Sequence, residues 1–324
     1  MKKILILAIL LILTACGGRN ETIPYEPTTP PATTTPAPQP LPTEPTPDRW
    51  ADYAPLLWRA TSPAGQTMYL FGTIHAARAD AHPLPQFIMD ALGRSDYLAL
   101  EISILENLDE ATYHSARFRY TDGRDISYDI SEELFDNLMA VKDEHYLHGR
   151  GILTTKPGMA AMSLEYFALE RVGMFTRYGI DMLLEQYAMM RGMNILEIES
   201  IALQTDVLAG FSMPLQIALL EMALDFEEAA QSGARLMDAW QRGDGAGVWA
   251  YMERTRDAID EELWVEFYDA LLVQRDIGMT ARAREFMAEG KKVFFTAGAA
   301  HFLHEGSIIA LLEEAGYEIV RVMP

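Results

Sequence analysis

The same phrase occurs twice in this chain. Near its first third the β-rich run Thr67-Met-Tyr-Leu-Phe71 stops at Gly72-Thr73-Ile74-His75, and close to the C-terminus Lys292-Val-Phe-Phe-Thr-Ala297 runs into Gly298-Ala299-Ala300-His301. In each an apolar strand ends at a glycine and a histidine follows three residues later, which puts an imidazole just past the carboxyl end of a strand. That edge is where open α/β sheets bind ligands. A final run, Glu318 to Val322, follows a helical stretch from Ser307 to Ala315 and a turn at Gly316-Tyr317, so the two repeats frame one sheet.

Two further apolar runs, Tyr97-Leu-Ala-Leu-Glu-Ile102 and Asn194-Ile-Leu-Glu-Ile-Glu199, carry acidic residues toward the end of what should be buried strands. A carboxylate buried there needs a partner. From about Ser131 to Glu289 the pattern is mostly helical, with stretches at Glu132 to His148, Pro157 to Val172, Ile180 to Arg191, Pro214 to Arg242 and Ile259 to Glu289. This is the place for a helical insertion. Met159, Met162, Phe167, Met182, Met189 and Met190, strung through these helices, read as core rather than as a cofactor box, because Met fills irregular gaps.

Imidazoles and carboxylates gathered at strand ends are the ligand types that suit zinc, manganese, iron or cobalt, and an incomplete shell leaves room for a water that can act as nucleophile. Two structural histidines are the alternative. His301-Phe-Leu-His304-Glu305 has the wrong order for the metallohydrolase helix motifs, so His304 is either a ligand one turn on or a solvated histidine at a helix start.

The N-terminus bears on location. Lys2 and Lys3, an apolar run from Ile4 to Leu13 and small residues before Cys16 have the layout of a secretory signal, too short to span a bilayer. Leu13-Thr14-Ala15-Cys16 resembles the lipobox of bacterial lipoproteins. That implies residues 1–15 as signal peptide and Cys16 as the lipidation site, anchoring the protein outside the membrane; an ordinary signal peptide with a leftover thiol is the alternative. Gly17 in place of Asp favours the outer membrane if the cell is Gram-negative. Ten of the 17 prolines lie between Pro24 and Pro47, so residues 16–48 read as the lipidated cysteine and an extended tether, and residues 49–324 as the folded domain, with its helical insertion at about 131–289.

Removing the signal leaves 26 − 2 = 24 basic against 47 acidic residues, a net charge of −23. Such a chain is not a nucleic-acid binder and does not adhere electrostatically to an anionic leaflet. Its one cysteine permits no intrachain disulfide.

Taken together, Tyr69-Leu-Phe-Gly-Thr-Ile-His75, Leu100-Glu101, Glu199 followed by Gln204, Arg275-Asp276, and Ala297-Gly-Ala-Ala-His301 before a helix and a terminal strand resemble the TraB/GumN family, which includes the Tiki proteins. The resemblance spans roughly Trp58 to Val322. It implies an α/β (α+β) fold, a mixed sheet with surrounding helices related to the erythromycin-esterase and ChaN-like proteins. Some Tiki members are metal-dependent proteases using manganese or cobalt. By that resemblance His75, His301 and Glu101 are the metal and catalytic residues, the cofactor is a divalent metal (manganese, cobalt or zinc), and the substrate is a peptide or protein. Glu199 would complete the shell or act as general base. Arg275 would stabilise an oxyanion or clamp a substrate carboxylate, or else form a buried salt bridge with Glu199 or Asp276. Asp181, in Tyr178-Gly-Ile-Asp181, also matches a family position, with a helix N-terminal role as the plain reading. The chain departs from the family at His304, where a glycine is common. The family's pheromone-shutdown and haem-binding relatives imply an alternative, a protein that captures a peptide signal or haem-like ligand in the same pocket without turnover.

Overall fold

A computed structural model describes residues 53–149 and 151–324. The expected signal peptide, the lipidated Cys16 and the tether lie outside the described residues.

Six strands form one mixed sheet: β1 (Leu57–Thr61), β2 (Thr67–Thr73), β3 (Tyr97–Leu100), β4 (Asn194–Glu197), β5 (Val293–Gly298) and β6 (Glu318–Arg321), in the spatial order β4-β3-β5-β2-β1-β6. The first four strands in that order run parallel, while β1 pairs antiparallel with both β2 and β6. The β1–β2 hairpin turns at Gly65, whose φ of 85° suits glycine.

Strand periodicity divides the core in two. Phe71, Leu98, Leu100 and Phe294 point to one face, and Leu70, Ala99 and Phe295, one residue out of phase, point to the other. Both faces are therefore covered by helices, which explains why β5 is buried along nearly its whole length.

Between strands run α1 (Gln86–Gly93), α2 (Leu108–Ser115), α3 (Glu132–Glu144), α4 (Pro157–Arg171), α5 (Ile180–Arg191), α6 (Ile201–Ala209), α7 (Met213–Ala223), α8 (Phe226–Arg242), α9 (Gly245–Ala258), α10 (Glu261–Tyr268), α11 (Gln274–Ala288) and α12 (Ile308–Glu314). Residues of α1, α5 and α8 cover the first face, with Trp240 wholly buried and its indole N–H donating to the Gly72 carbonyl at 2.8 Å. Residues of α11 and α12 cover the second. A third cluster, built from α3, α4, α7 and α8, is the core of a helical lobe beside the sheet. Among the described residues no single helix is long and apolar enough to cross a membrane.

The stretch read as a helical insertion is helical apart from β4, which returns the chain to the sheet edge in its middle. Pro214 to Arg242 is two helices, because the Asp225 side chain accepts from the Glu228 N–H and caps a new start. Ile259 to Glu289 is broken by a π-helical turn at Asp269–Val273, directly before Arg275 and Asp276. Such turns shift the register of everything after them. Met159, Phe167 and Met182 are core as expected, whereas Met189 and Met190 face solvent.

Candidate functional site

The four parallel strands end flush, with Thr73 opposite Gly298 and Leu100 opposite Glu197. Their carboxyl ends deliver His75, His301, Glu101 and Glu199 to one edge. Beyond β3 and β4 the pairing continues, the Glu199 N–H donating to the Glu101 carbonyl at 2.9 Å.

His75 is aimed by Asp181. Its Nδ1 lies 2.9 Å from Asp181 Oδ2, and the Thr73 hydroxyl donates to Asp181 Oδ1 at 2.5 Å. Asp181 stands there because α5 docks on the loop, with the Ile180 N–H donating to the Ile74 carbonyl at 2.9 Å. Gly179 permits the approach, since a Cβ there would strike the His75 carbonyl. Burial alone would lower the imidazole pKa. The charge and hydrogen bond of Asp181, with the charge of Glu101, outweigh it and raise the value to about 9. Since 48% of the His75 side chain is exposed, desolvation is muted by solvent and the carboxylates dominate.

His301 is buried and is held by Asp276, whose Oδ1 lies 2.5 Å from His301 Nδ1. Asp276 Oδ2 lies 2.6 Å from His304 Nε2. His304 Nδ1 accepts from the Tyr268 hydroxyl at 2.8 Å and the Gly306 N–H at 3.2 Å, which places its proton on Nε2, toward Asp276. The ring stacks on Trp249 and its side chain is 2% exposed. The expectation of a solvated His304 is thus corrected: a buried carboxylate with two oxygens can hold a second ring. His304 is one ring removed from the edge, on the far side of Asp276 from His301.

Glu101 and Glu199 share Arg275. Arg275 Nη2 lies 2.6 Å from Glu101 Oε2 and 2.7 Å from Glu199 Oε2, and its Nε donates to Glu199 Oε1 at 3.1 Å. Gln204 Nε2 donates to both carboxylates, at 2.9 and 3.0 Å, and the Gly298 N–H donates to Glu101 Oε1 at 2.6 Å. Burial would push the Glu101 carboxyl up, but Arg275, His301, His75 and the Gly298 N–H hold it well below the usual carboxylate range. Of the salt bridges considered for Arg275, the one with Glu199 exists, and Glu101 joins it. Asp276 is instead engaged by the two histidines.

Three of these side chains surround one small space. A Cβ on Gly298 would lie 3.4 Å from Glu101 Oε1, 3.7 Å from His75 Nε2 and 3.7 Å from His301 Cδ2. The chemistry of this donor set fits a divalent metal. Each imidazole gives its Nδ1 to a carboxylate, which fixes the ring and leaves Nε2 as the coordinating atom. Among the described residues no group of three His, Cys, Asp or Glu is drawn together tightly enough to hold an ion.

From this edge a cleft of about 380 Å³ extends into the helical lobe. His75, Glu101, Arg275 and His301 line its polar end, and Met159, Met162, Leu219, Met222 and Phe267 its apolar length. Met159 and Met162, read as core, are also cavity wall. Tyr166 stands between, its hydroxyl pKa pushed up to about 12 by burial and by the charges of Asp181 and Glu101.

Sequence reasoning placed His75, His301, Glu101, Glu199 and Arg275 together, and the structure brings all five to one edge. It gave neither Asp181 nor Asp276 the task of orienting a histidine. Both lie within matched motifs, but the contacts span 106 and 25 positions of chain and no local spacing encodes them.

A mixed sheet whose parallel strands deliver two Gly-x-x-His histidines and a glutamate to one edge defines a class, and the TraB/PrgY/gumN family model matches residues 56–321. The chain belongs to that family. It is similar to the uncharacterized protein YbaP of Escherichia coli, with 25% identity over 255 residues, 78% of this chain and 90% of the relative, and to YbaP of Shigella flexneri at the same identity and coverage. No solved structure matches.

Proposed function

We propose that this protein is a metal-dependent hydrolase, a peptidase in its reaction class, held outside a bacterial membrane by lipid on Cys16 and a proline-rich tether. The observation that carries the reading is the convergence of His75, His301 and Glu101 on the space left open by Gly298. His75 and His301, through Nε2, and Glu101 would hold the ion. The metal, manganese, cobalt or zinc, would supply Lewis acidity and a water acidic enough to attack near neutral pH.

The chain's own residues do the rest. Asp181 and Asp276 keep both Nδ1 atoms protonated and the rings fixed. Glu199, 2.7 Å from Arg275 Nη2, would accept a proton beside Glu101, while Arg275 neutralises the pair and would offer positive charge to a developing oxyanion. The helical lobe shields one side from water.

Metal content and melting temperature of the full chain, measured beside His75→Ala and His301→Ala, test this reading. About one bound ion in the wild type, lost in each folded variant, is expected. No ion in any of the three, and no stabilisation by manganese, cobalt or zinc, would overturn it. The apolar cleft favours a second reading, capture of a ligand without turnover. Tight binding of an uncleaved peptide, or a Soret band on adding haem, would establish that instead.

A further inference from the structure

The cleft runs past the polar edge between side chains that are mostly apolar. Met159, Met162, Tyr166 and Leu169 all line it, and they follow one ridge of α4 at spacings of three and four residues. The ten steps from Met159 to Leu169 at about 1.5 Å each make that wall about 15 Å long. Tyr166 marks the polar end, where it feels the charges of Asp181 and Glu101. Leu219 and Met222 of α7, Met252 of α9 and Phe267 of α10 contribute to the lining.

We propose that this cleft is an acyl-chain site, which takes one unbranched aliphatic chain along α4 with its carbonyl end at His75, His301 and Arg275. A peptide segment of the same length is the competing occupant, and the wall is wrong for it. A peptide carries an N–H and a C=O at every residue, and each loses its water on entry and needs a partner. The wall is made largely of helices, whose interior backbone groups are already paired. Gln216 Oε1 accepts from the Gly158 N–H and its Nε2 donates to the Phe211 carbonyl. Tyr251 and Arg254 both donate to Glu165. Glu165 and Arg254 also form an ion pair at 3.0 Å, so the charged groups of this part of the lining are spent on each other. An aliphatic chain asks for none of these bonds, and flexible Met side chains adapt to its shape.

The substrate class is therefore a long-chain acyl amide or ester, the amide including an N-acylated peptide whose acyl chain, rather than its peptide part, fills the cleft. That extension to substrate rests on the hydrolase reading, whereas the binding site does not. The experiment is titration calorimetry of the full chain with octanoic, decanoic and dodecanoic acids, repeated on Met162→Trp, Met222→Trp and His75→Ala. Affinity should rise with length, by up to about fourfold per methylene. Either tryptophan variant, if it keeps the wild-type melting transition, should weaken dodecanoic acid by about tenfold or more through filling the cleft. His75→Ala should leave the chain-length trend intact. No length dependence, no effect of a folded tryptophan variant, or equal competition by N-acetyl-trileucine amide would overturn the site. Turnover of 4-nitrophenyl dodecanoate separates the two ideas. If the acids bind as expected but the ester survives, the hydrolase reading fails and the acyl site stands.

Discussion

Asp276 holds His301 and His304 at once: Oδ1 lies 2.5 Å from His301 Nδ1, Oδ2 lies 2.6 Å from His304 Nε2, and none of its surface reaches solvent. One carboxylate thus fixes a ring of the site edge and a ring of the scaffold behind it. The Tyr268 hydroxyl and Trp249 clamp the far side of His304. His304 is therefore built into the support of His301.

Asp276→Asn should break this arrangement, because an amide offers one acceptor where two N–H groups point. One ring must change tautomer or lose its bond. The expected cost is about 1–3 kcal/mol by urea unfolding, with an altered His301 tautomer by nitrogen-15 NMR. His304→Gln, which keeps a donor, should cost less. Equal losses for the two would show that Asp276 matters only through His304.

Asp181→Asn should lower the His75 pKa from about 9 toward or below the ordinary 6.5, read by proton NMR in chelator-treated protein. The sign follows from linkage. A pKa raised on folding gives stability that is fully present below about pH 6.5 and lost as pH rises through about 9. The stability gap between wild type and variant should therefore be widest below pH 6.5 and close toward alkaline pH. An unchanged His75 titration would remove Asp181 from its assigned task.

The sheet was legible in the sequence because strands buried on both faces read as unbroken apolar runs, and those at Phe71, Leu98 and Phe294 are of that kind. β1, the partner of β2 and β6, escaped notice: five residues, LWRAT, carry too little pattern. Helix existence was legible too, but the breaks at Asp225 and at the π-helical turn depend on one cap and one extra residue per turn. The site's five polar residues were found through motifs. The orienting task of Asp181 and Asp276 and the extent of the cleft were not, because both depend on how distant segments pack.

Arg275→Leu should be far more costly than a surface change. It leaves Glu101 and Glu199, both under a tenth exposed, facing each other without a cation. Breaking such a buried group costs about 3–5 kcal/mol near neutral pH. Glu101's depressed pKa gives stability present above the unfolded value of 4.5 and lost as pH falls through the folded one. In the variant the Glu101 carboxyl loses the cation that holds its pKa down and neutralises readily, so the deficit should narrow below about pH 4.5. Denaturation at pH 7 and pH 4 checks this; an equal deficit at both would mean lost packing, not charge, is the cause.

Gly298→Ala isolates the open space from everything around it. The backbone there has φ −50° and ψ 135°, which alanine adopts freely, and the added Cβ would meet nothing closer than Glu101 Oε1 at 3.4 Å. Folding should therefore survive, with a stability change within about 1 kcal/mol. The methyl would nonetheless occupy the point that Glu101, His75 and His301 face, so metal and substrate should be excluded together. Calorimetry with manganese and zinc, beside turnover, reads both losses on a protein that still melts like the wild type. A Gly298→Ala protein that binds metal and turns over normally would place the chemistry elsewhere on the edge.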